Sequence, residues 1–166
     1  MIDQAPALQG RSFLSQLFTS RGRSDRANFW LSLLVIVIAY FAALIVTLAT
    51  FSQSDAVLDI HPTGVAIALL SFVIFFTLYT LAVTRRFHDR GKSARWLWLF
   101  PGIPFALGMA SRMLEHQFGL PQVAPLLVTL ALPIAVWGIV ECGFLRGTLG
   151  QNQFGADPRA ATKEAG

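Results

Sequence analysis

Long uncharged apolar stretches constrain this 166-residue chain more than any other feature. Residues 29–51 and 65–84 contain no charged side chain, and residues 123–145 contain only Glu141. About 20 apolar residues cross the hydrocarbon core of a bilayer, and their backbone must be helical because lipid offers no hydrogen-bond partner. With 54% hydrophobic and 13% charged residues, the chain is also more apolar than soluble domains. These features predict an integral membrane protein and argue against a soluble enzyme.

A shorter apolar segment, residues 96–112, allows two interpretations. Its uncharged part is interrupted by Pro101 and Pro104 and ends before Arg112. The segment can cross the bilayer if Arg112 reaches the headgroup layer, or it can be re-entrant, because prolines remove backbone donors and kink a helix. We expect it to cross. The predicted fold is therefore an all-α membrane protein with four transmembrane helices, near 29–51, 65–84, 96–112 and 123–145.

The distribution of Lys and Arg orients these spans. Of the 13 basic residues, 12 lie in the N-terminal segment 1–28, in the loop 85–95 or in the tail 146–166. The loop between the first two spans has Asp55, Asp59 and His61 but no Lys or Arg. Because Lys and Arg accumulate on the cytoplasmic side, both termini and the 85–95 loop are predicted to be cytoplasmic. The tail is predicted to be disordered after about residue 158.

A short amphipathic helix is predicted before the first span. Phe13, Leu14, Leu17 and Phe18 recur at a spacing that forms one apolar stripe. Such a helix can lie in the headgroup layer or pack against the cytoplasmic end of the bundle, and both interpretations stay open here.

Three polar motifs border the predicted spans. They are GRSDR at 22–26, followed by Phe29 and Trp30; RRFHDRGKS at 85–93; and GTLGQNQFGADP at 147–158. The predicted topology gathers all three at the cytoplasmic surface.

In this order, the motifs closely resemble those of the domain-of-unknown-function 805 (DUF805) family of small bacterial inner-membrane proteins. The resemblance covers about residues 17–158 and departs at Asn28 and Leu31, where the family often has Glu and Trp. It implies location in the bacterial inner membrane and supplies no activity, substrate or catalytic residue. The positions that carry it are Gly22, Arg23, Trp30, Arg86, His88, Asp89, Gly91, Ser93, Trp96, Gly147, Asn152, Gly155, Asp157 and Pro158.

The central motif has the pattern of a helix end followed by a tight turn. Basic side chains in the last turns suit the negative end of a helix dipole. Gly91 falls where a left-handed residue is expected, and Ser93 can cap the next helix. Arg85 and Asp89 are four residues apart and can form an ion pair.

The same basic residues form a candidate anion site. Arginine binds phosphate through two parallel N–H groups, and each base near an anionic leaflet contributes about 1 kcal/mol of attraction. The alternatives are that these bases only set the topology, or that they serve catalysis. The candidate residues for binding anionic lipid or phosphate are Arg23, Arg26, Arg85, Arg86, Arg90 and Lys92.

Two rival functions remain open at this stage. Glu141, the acid inside a span, can serve a small-solute or ion transporter, or it can pair with Arg85, Arg86 or Arg146. An enzyme acting on a lipid headgroup would use the corner at His88 and Asp89. We predict a non-enzymatic membrane protein whose basic cytoplasmic face binds anionic lipid headgroups or a partner protein. The sequence predicts no cofactor, no metal site and no nucleic-acid partner.

Overall fold

The computed structural model describes residues 13–52 and 62–160, and these residues are helical apart from turns and one C-terminal loop. The elements are α1 (Phe13–Leu17), α2 (Arg26–Ser52), α3 (Pro62–Asp89), a first π-helical turn (Trp98–Gly102), α4 (Ile103–Phe118), α5 (Ala124–Ile139) and a second π-helical turn (Val140–Phe144). Within the described ranges there is no β-strand, only an isolated bridge between Asn152 and Gly155. The all-α prediction is confirmed for this part of the chain.

Three of the described helices are long and apolar enough to cross a membrane. They are Arg26–Phe51, Pro62–Asp89 and Ala124–Phe144, and they contain the predicted spans 29–51 and 65–84 and most of 123–145. The remaining predicted span, 96–112, belongs to the helical segment that continues through α4 to Phe118. Its last turns carry Arg112, Glu115 and His116, so the fourth crossing stays a prediction.

Two predicted segments lie partly or wholly outside the described residues. The loop with Asp55, Asp59 and His61 falls between residues 52 and 62. The tail that was expected to be disordered after residue 158 is described only to Ala160, and residues 146–160 form a loop packed on the helix ends.

The predicted amphipathic helix is α1. It packs against α3, and Leu17 is buried, whereas Leu14 and Phe18 are exposed. One side of the apolar stripe therefore contacts the bundle, and the other side is exposed.

The helices form two antiparallel pairs that meet at one end. α2 lies along α3, and α4 lies along α5, while contacts between the pairs involve mainly the second π-helical turn. A small apolar core occupies this junction and is formed by Phe29, Val83, Phe87, Phe100 and Cys142. We call the end of the molecule where the two pairs meet the polar end. It holds residues 22–30, 85–93 and 141–159, which include the three polar motifs.

The first π-helical turn is explained by its proline. Pro101 has no amide to donate to the carbonyl of Leu97, and its ring crowds that carbonyl. The helix widens, and the Ile103 amide bonds to the carbonyl of Trp98 instead. This turn places Phe100 in the core, against Phe87 and Gly138.

Candidate functional site at the polar end

A buried aspartate, Asp89, lies at the centre of the polar end. Its Oδ1 accepts hydrogen bonds from Nε and Nη2 of Arg23 at 3.1 and 3.0 Å, and its Oδ2 accepts one from Nη1 of Arg86. All three side chains are almost fully buried. Two guanidinium groups therefore share one carboxylate, and this cluster links the first motif to the central motif.

Backbone carbonyls take up the remaining donors of the two arginines. Arg86 donates to the carbonyls of Cys142, Leu145 and Ser24 at 2.6, 2.5 and 3.2 Å. Arg23 donates to the carbonyls of Thr148 and Gly150, both at 2.5 Å. Carbonyl oxygens carry partial negative charge. They therefore partly compensate the second positive charge, since one carboxylate neutralises only one of the two guanidinium groups.

The second π-helical turn supplies the Cys142 carbonyl, and its other carbonyls bind further side chains. A helix end leaves its last carbonyl groups without intrahelical partners, and here side chains of α2 and α3 bind them. Besides Arg86, the indole N–H of Trp30 donates to Gly143 at 3.1 Å, and Nη1 of Arg26 donates to Phe144 at 3.3 Å. Arg90 likewise donates to Arg146. The end of the α5 helix is therefore capped by its neighbours.

The predicted turn after α3 is confirmed in its geometry. Gly91 has φ +70°, the Lys92 amide bonds to the carbonyl of Phe87 at 2.8 Å, and the Gly91 amide bonds to His88 at 3.0 Å. This pair of bonds around a left-handed glycine is a Schellman motif. At Ser93, the backbone carbonyl accepts the Trp96 amide.

The third motif closes over the end of α3. The amide and hydroxyl of Thr148 both donate to the Asp89 carbonyl, at 2.8 and 3.0 Å, and the Asn152 amide nitrogen donates to the His88 carbonyl at 2.9 Å. The His88 ring stacks on Phe154 with 4.0 Å between centroids. A Cβ on Gly147 would overlap the Asp89 carboxylate, so only glycine permits this approach.

His88 and Asp89 do not face the same space. Nδ1 of His88 lies 3.2 Å from the carbonyl of Gly22, and its ring packs on Phe154. Both oxygens of the Asp89 carboxylate accept from guanidinium groups. The carboxylate is therefore occupied as an ion-pair partner, and the acid–base corner that the rival enzyme hypothesis would use is not assembled among the described residues.

Glu141 has different partners from those expected. Its Oε1 lies 3.0 Å from Nε of Arg90 and 2.7 Å from Nζ of Lys92, so the predicted pairing with Arg85, Arg86 or Arg146 is wrong. The π-helical turn and the turn at Gly91 bring these groups together. Lys92 also lies over the Trp96 ring, 4.3 Å from its centroid, and this cation–π contact holds the ammonium group at the carboxylate.

Arg85 does not pair with Asp89, which contradicts the expected pairing four residues apart. Asp89 instead binds Arg86, three residues away, through Oδ2 and Arg23 through Oδ1. Both carboxylate oxygens are therefore occupied by arginines other than Arg85. The Arg85 side chain is buried, and neither its Nε nor its Nη2 has a hydrogen-bond partner among the described residues.

The six predicted anion-binding residues therefore fall into four groups. Arg23 and Arg86 are buried and fully engaged in the cluster, and Arg90 and Lys92 bind Glu141. Arg85 is buried without a partner among the described residues. Arg26 is exposed and makes one long hydrogen bond.

An open cleft of about 450 Å³ lies beside the buried cluster. Arg26 and Trp30 of α2 form one side, and Arg159 of the C-terminal loop forms another. The remaining lining residues are Asp25, Ala27, Arg86, Asp89, Gly143 and Gly147. The cleft therefore combines the exposed Arg26 and the half-exposed Arg159 with the half-exposed indole of Trp30.

The C-terminal loop is stabilised by its own ion pair. Side-chain hydrogen bonds from Arg159, together with the backbone amides of Arg159 and Gly150, hold the pKa of Asp157 at about 2. Nη2 of Arg159 also donates to the Thr148 carbonyl at 3.2 Å. Asp157 therefore fixes Arg159 at the edge of the cleft.

Sequence reasoning missed three contributors to the polar end. Arg159 was counted only as a basic residue of the tail, and Phe154 and Thr148 were not singled out within their motif. The available signal was Phe154, the one aromatic residue in GTLGQNQFGADP, which stands among glycines and small polar residues. Among the described residues, no group of three or more His, Cys, Asp or Glu side chains could hold a metal ion.

The fold and this site define a class: an all-α protein with membrane-length apolar helices, held together at one end by a buried arginine–aspartate cluster. The chain belongs to the DUF805 family, described as proteins of unknown function, whose family model matches residues 17–156. The match includes all of the first two motifs and most of the third.

Two curated relatives have similar length and similar sequence. The uncharacterized protein YiiR of Escherichia coli K12 is 29% identical over 145 residues, which cover 85% of this chain and 86% of that protein. The protein of the same name from Escherichia coli O157:H7 matches equally. No solved structure matches this chain.

Proposed function

We propose that this chain is a non-enzymatic protein of the bacterial inner membrane whose polar end faces the cytoplasm and binds anionic lipid headgroups. The observation that carries the proposal is the cleft beside the buried cluster, with Arg26 and Arg159 at its edge and the Trp30 indole in its wall. Tryptophan prefers the membrane–water interface, and guanidinium groups bind phosphate through parallel N–H donors.

Electrostatics favours an anion at this end of the molecule. The buried cluster holds two arginines against one aspartate, and four further bases nearby, Arg21, Arg26, Arg95 and Arg146, are exposed. Each base near the surface of an anionic leaflet contributes about 1 kcal/mol of attraction. The buried arginines thus shape the site, and the exposed ones meet the lipid.

The helix directions support four crossings with both termini cytoplasmic. α3 and the second π-helical turn both end at the polar end, joined by the bond from Arg86 to Cys142. α4 packs along α5 and is joined to it by a short turn at residues 119–123. Since the α5 span begins at the far end, the segment 98–118 has to cover the same distance.

Cysteine labelling tests the orientation. In a C142A background, single cysteines are introduced at exposed positions of the polar end, S93C and A156C, and at the far end of α4, Q117C. An impermeant maleimide added to intact spheroplasts should label Q117C and should label S93C and A156C only after lysis. Labelling of A156C but not S93C before lysis would place the motifs on opposite sides and refute this topology.

Retention of lipid tests the binding proposal. Native mass spectrometry of the protein released from mixed bilayers should show bound phosphatidylglycerol or cardiolipin in preference to phosphatidylethanolamine. The double variant R26Q/R159Q should reduce the retained anionic lipid about tenfold, as expected for losing charged hydrogen bonds. Arg112, an exposed base at the far end, supplies the matched control R112Q. Equal retention by R26Q/R159Q and R112Q would reject the cleft as the lipid site.

A further inference from the structure

Arg85 is the one buried side chain in the described ranges whose nitrogen atoms lack hydrogen-bond partners. Arg85 is only 3% exposed, and neither its Nε nor its Nη2 has a hydrogen-bond partner among the described residues. A buried charge without a partner is strongly unfavourable, so native proteins pair such groups or bind a ligand at them. The position therefore needs an explanation that the packing of the described residues does not give.

The two unsatisfied atoms are not an arbitrary pair. Nε and Nη2 form one edge of the guanidinium plane, from which two N–H bonds point in the same direction. This is the fork that binds the oxygens of a carboxylate or phosphate. Arg23 shows the same edge in use, because its Nε and Nη2 both donate to Oδ1 of Asp89. Arg85 presents an equivalent edge without the acceptor.

The described carboxylates are already committed elsewhere. Asp25 caps α2 by accepting the Asn28 amide at 2.8 Å, and Asp157 binds Arg159. Asp89 and Glu141 have two basic partners each. Glu115 lies near the far end of α4. Within the described ranges, no acid is available to Arg85.

The site is also distinct from the cleft of the proposed function. Arg85 does not line that cleft. It lies one helical turn before the end of α3, where the Ser24 amide donates to its backbone carbonyl at 3.2 Å. Residues 22–24 therefore lie against α3 at this level, and α1, which precedes them, also packs on α3.

We propose that Arg85 is the binding residue of a second, buried site for a tetrahedral oxyanion of the phosphate class. The Nε and Nη2 donors bind two oxygens of the anion, and the anion neutralises the guanidinium charge. Phosphate is favoured over a protein carboxylate because the carboxylates near Arg85 in the described ranges already have other partners. A lipid phosphomonoester and free inorganic phosphate both carry this chemistry.

Thermal denaturation of delipidated protein in a neutral detergent tests the proposal. The wild type should gain several degrees in melting temperature on addition of millimolar inorganic phosphate or of short-chain phosphatidic acid, because a ligand that binds the native state stabilises it. A response to phosphatidic acid alone identifies the source as lipid, and a response to both identifies an open oxyanion site. Either response supports the proposal if it depends on Arg85.

Three variants make that dependence measurable. R85M should raise the melting temperature without ligand, because it removes an unpaired buried charge, and should abolish both responses. R85K keeps the charge but lacks the fork, so phosphate should bind at least tenfold more weakly. R95Q removes an exposed base of the neighbouring loop and should respond as the wild type does.

Two results would overturn the proposal. If R85M lowered the melting temperature without added anion, Arg85 would already have a partner. If R85M or R85K retained the full phosphate response, the fork would not be the binding group. Failure of the cleft proposal would be recognised separately. In that case R26Q/R159Q would retain as much anionic lipid as the wild type, while the Arg85-dependent shift in melting temperature would persist.

Discussion

The polar end and the membrane-length helices are held by different forces. At the polar end, segments more than 50 residues apart in sequence are joined by charged hydrogen bonds, such as those from Arg23 to Asp89 and to the Gly150 carbonyl and the one from Arg86 to the Cys142 carbonyl. Along the helices, side chains face outward: only 6% of the most apolar stretch of α3 is buried inside the protein.

This difference indicates that the two regions contribute differently to folding. Lipid tails are as apolar as leucine, so the apolar helices gain little by associating with one another in a bilayer. They determine that the chain enters the membrane, whereas the polar end determines which helices meet and in what register. Four predictions test this division, from the largest expected effect to the smallest.

Asp89→Asn should destabilise the protein most. The substitution leaves the buried guanidinium groups of Arg23 and Arg86 without their carboxylate, and removing one partner of a buried ion pair costs about 3–5 kcal/mol. Thermal denaturation in detergent should show a loss of this size. The control E115Q alters an exposed acid near the far end and should change little. Similar melting of D89N and E115Q would contradict a structural role for the cluster.

Gly147→Ala should have the next largest effect. The added methyl group would overlap the Asp89 carboxylate, and overpacking of this kind costs about 1–3 kcal/mol. Gly108 in α4 is the matched control, since a Cβ there meets nothing within 4 Å. G108A should be neutral or slightly stabilising, because alanine favours helix. If the two alanine variants melted alike, the close approach of the third motif to α3 would be in doubt.

Trp30→Phe should cost about 1 kcal/mol, the net value of a typical hydrogen bond. The indole N–H donates to the Gly143 carbonyl, and phenylalanine keeps the aromatic packing without that donor. Trp98 is 79% exposed, so W98F serves as the control with little expected change. A loss in W98F as large as in W30F would show that aromatic volume, not the bond to the π-helical turn, matters.

Acidification should have the smallest effect in this series. The pKa of Asp157 is about 2, below the value of about 3.9 for an unfolded aspartate. The ion pair with Arg159 therefore stabilises the loop above pH 4, and this contribution is lost as the pH falls towards 2. Comparing the melting temperatures of wild type and D157N from pH 6 to pH 2 should show a difference that disappears in acid. A constant difference would exclude titration of Asp157 as its source.

The apolar part of the fold was predictable from sequence, because uncharged runs of membrane length have few alternatives. The turn at Gly91 was predictable for a similar local reason: a glycine after a row of basic residues marks a helix end. The pairing partners were not. Whether Asp89 binds Arg85 or Arg86 depends on the position of Arg23, and that position depends on contacts with residues 148–150.

The second π-helical turn was also beyond sequence reasoning. It contains no proline and carries Glu141 towards Arg90 and Lys92. A regular helix pattern instead suggested Arg85, Arg86 or Arg146 as partners. The widening depends on tertiary hydrogen bonds from Arg86 and Trp30 to its carbonyls, and no local pattern encodes those bonds.

Cross-linking in native membranes tests the meeting of distant motifs most directly. In a C142A background, cysteines replace His88 and Phe154, whose rings stack 4.0 Å apart, and a short bismaleimide is added. We predict an intramolecular cross-link in H88C/F154C and none in H88C/Q117C, whose second cysteine lies near the far end of α4. Absence of the first cross-link, or equal yield from both pairs, would contradict the assembly of the polar end.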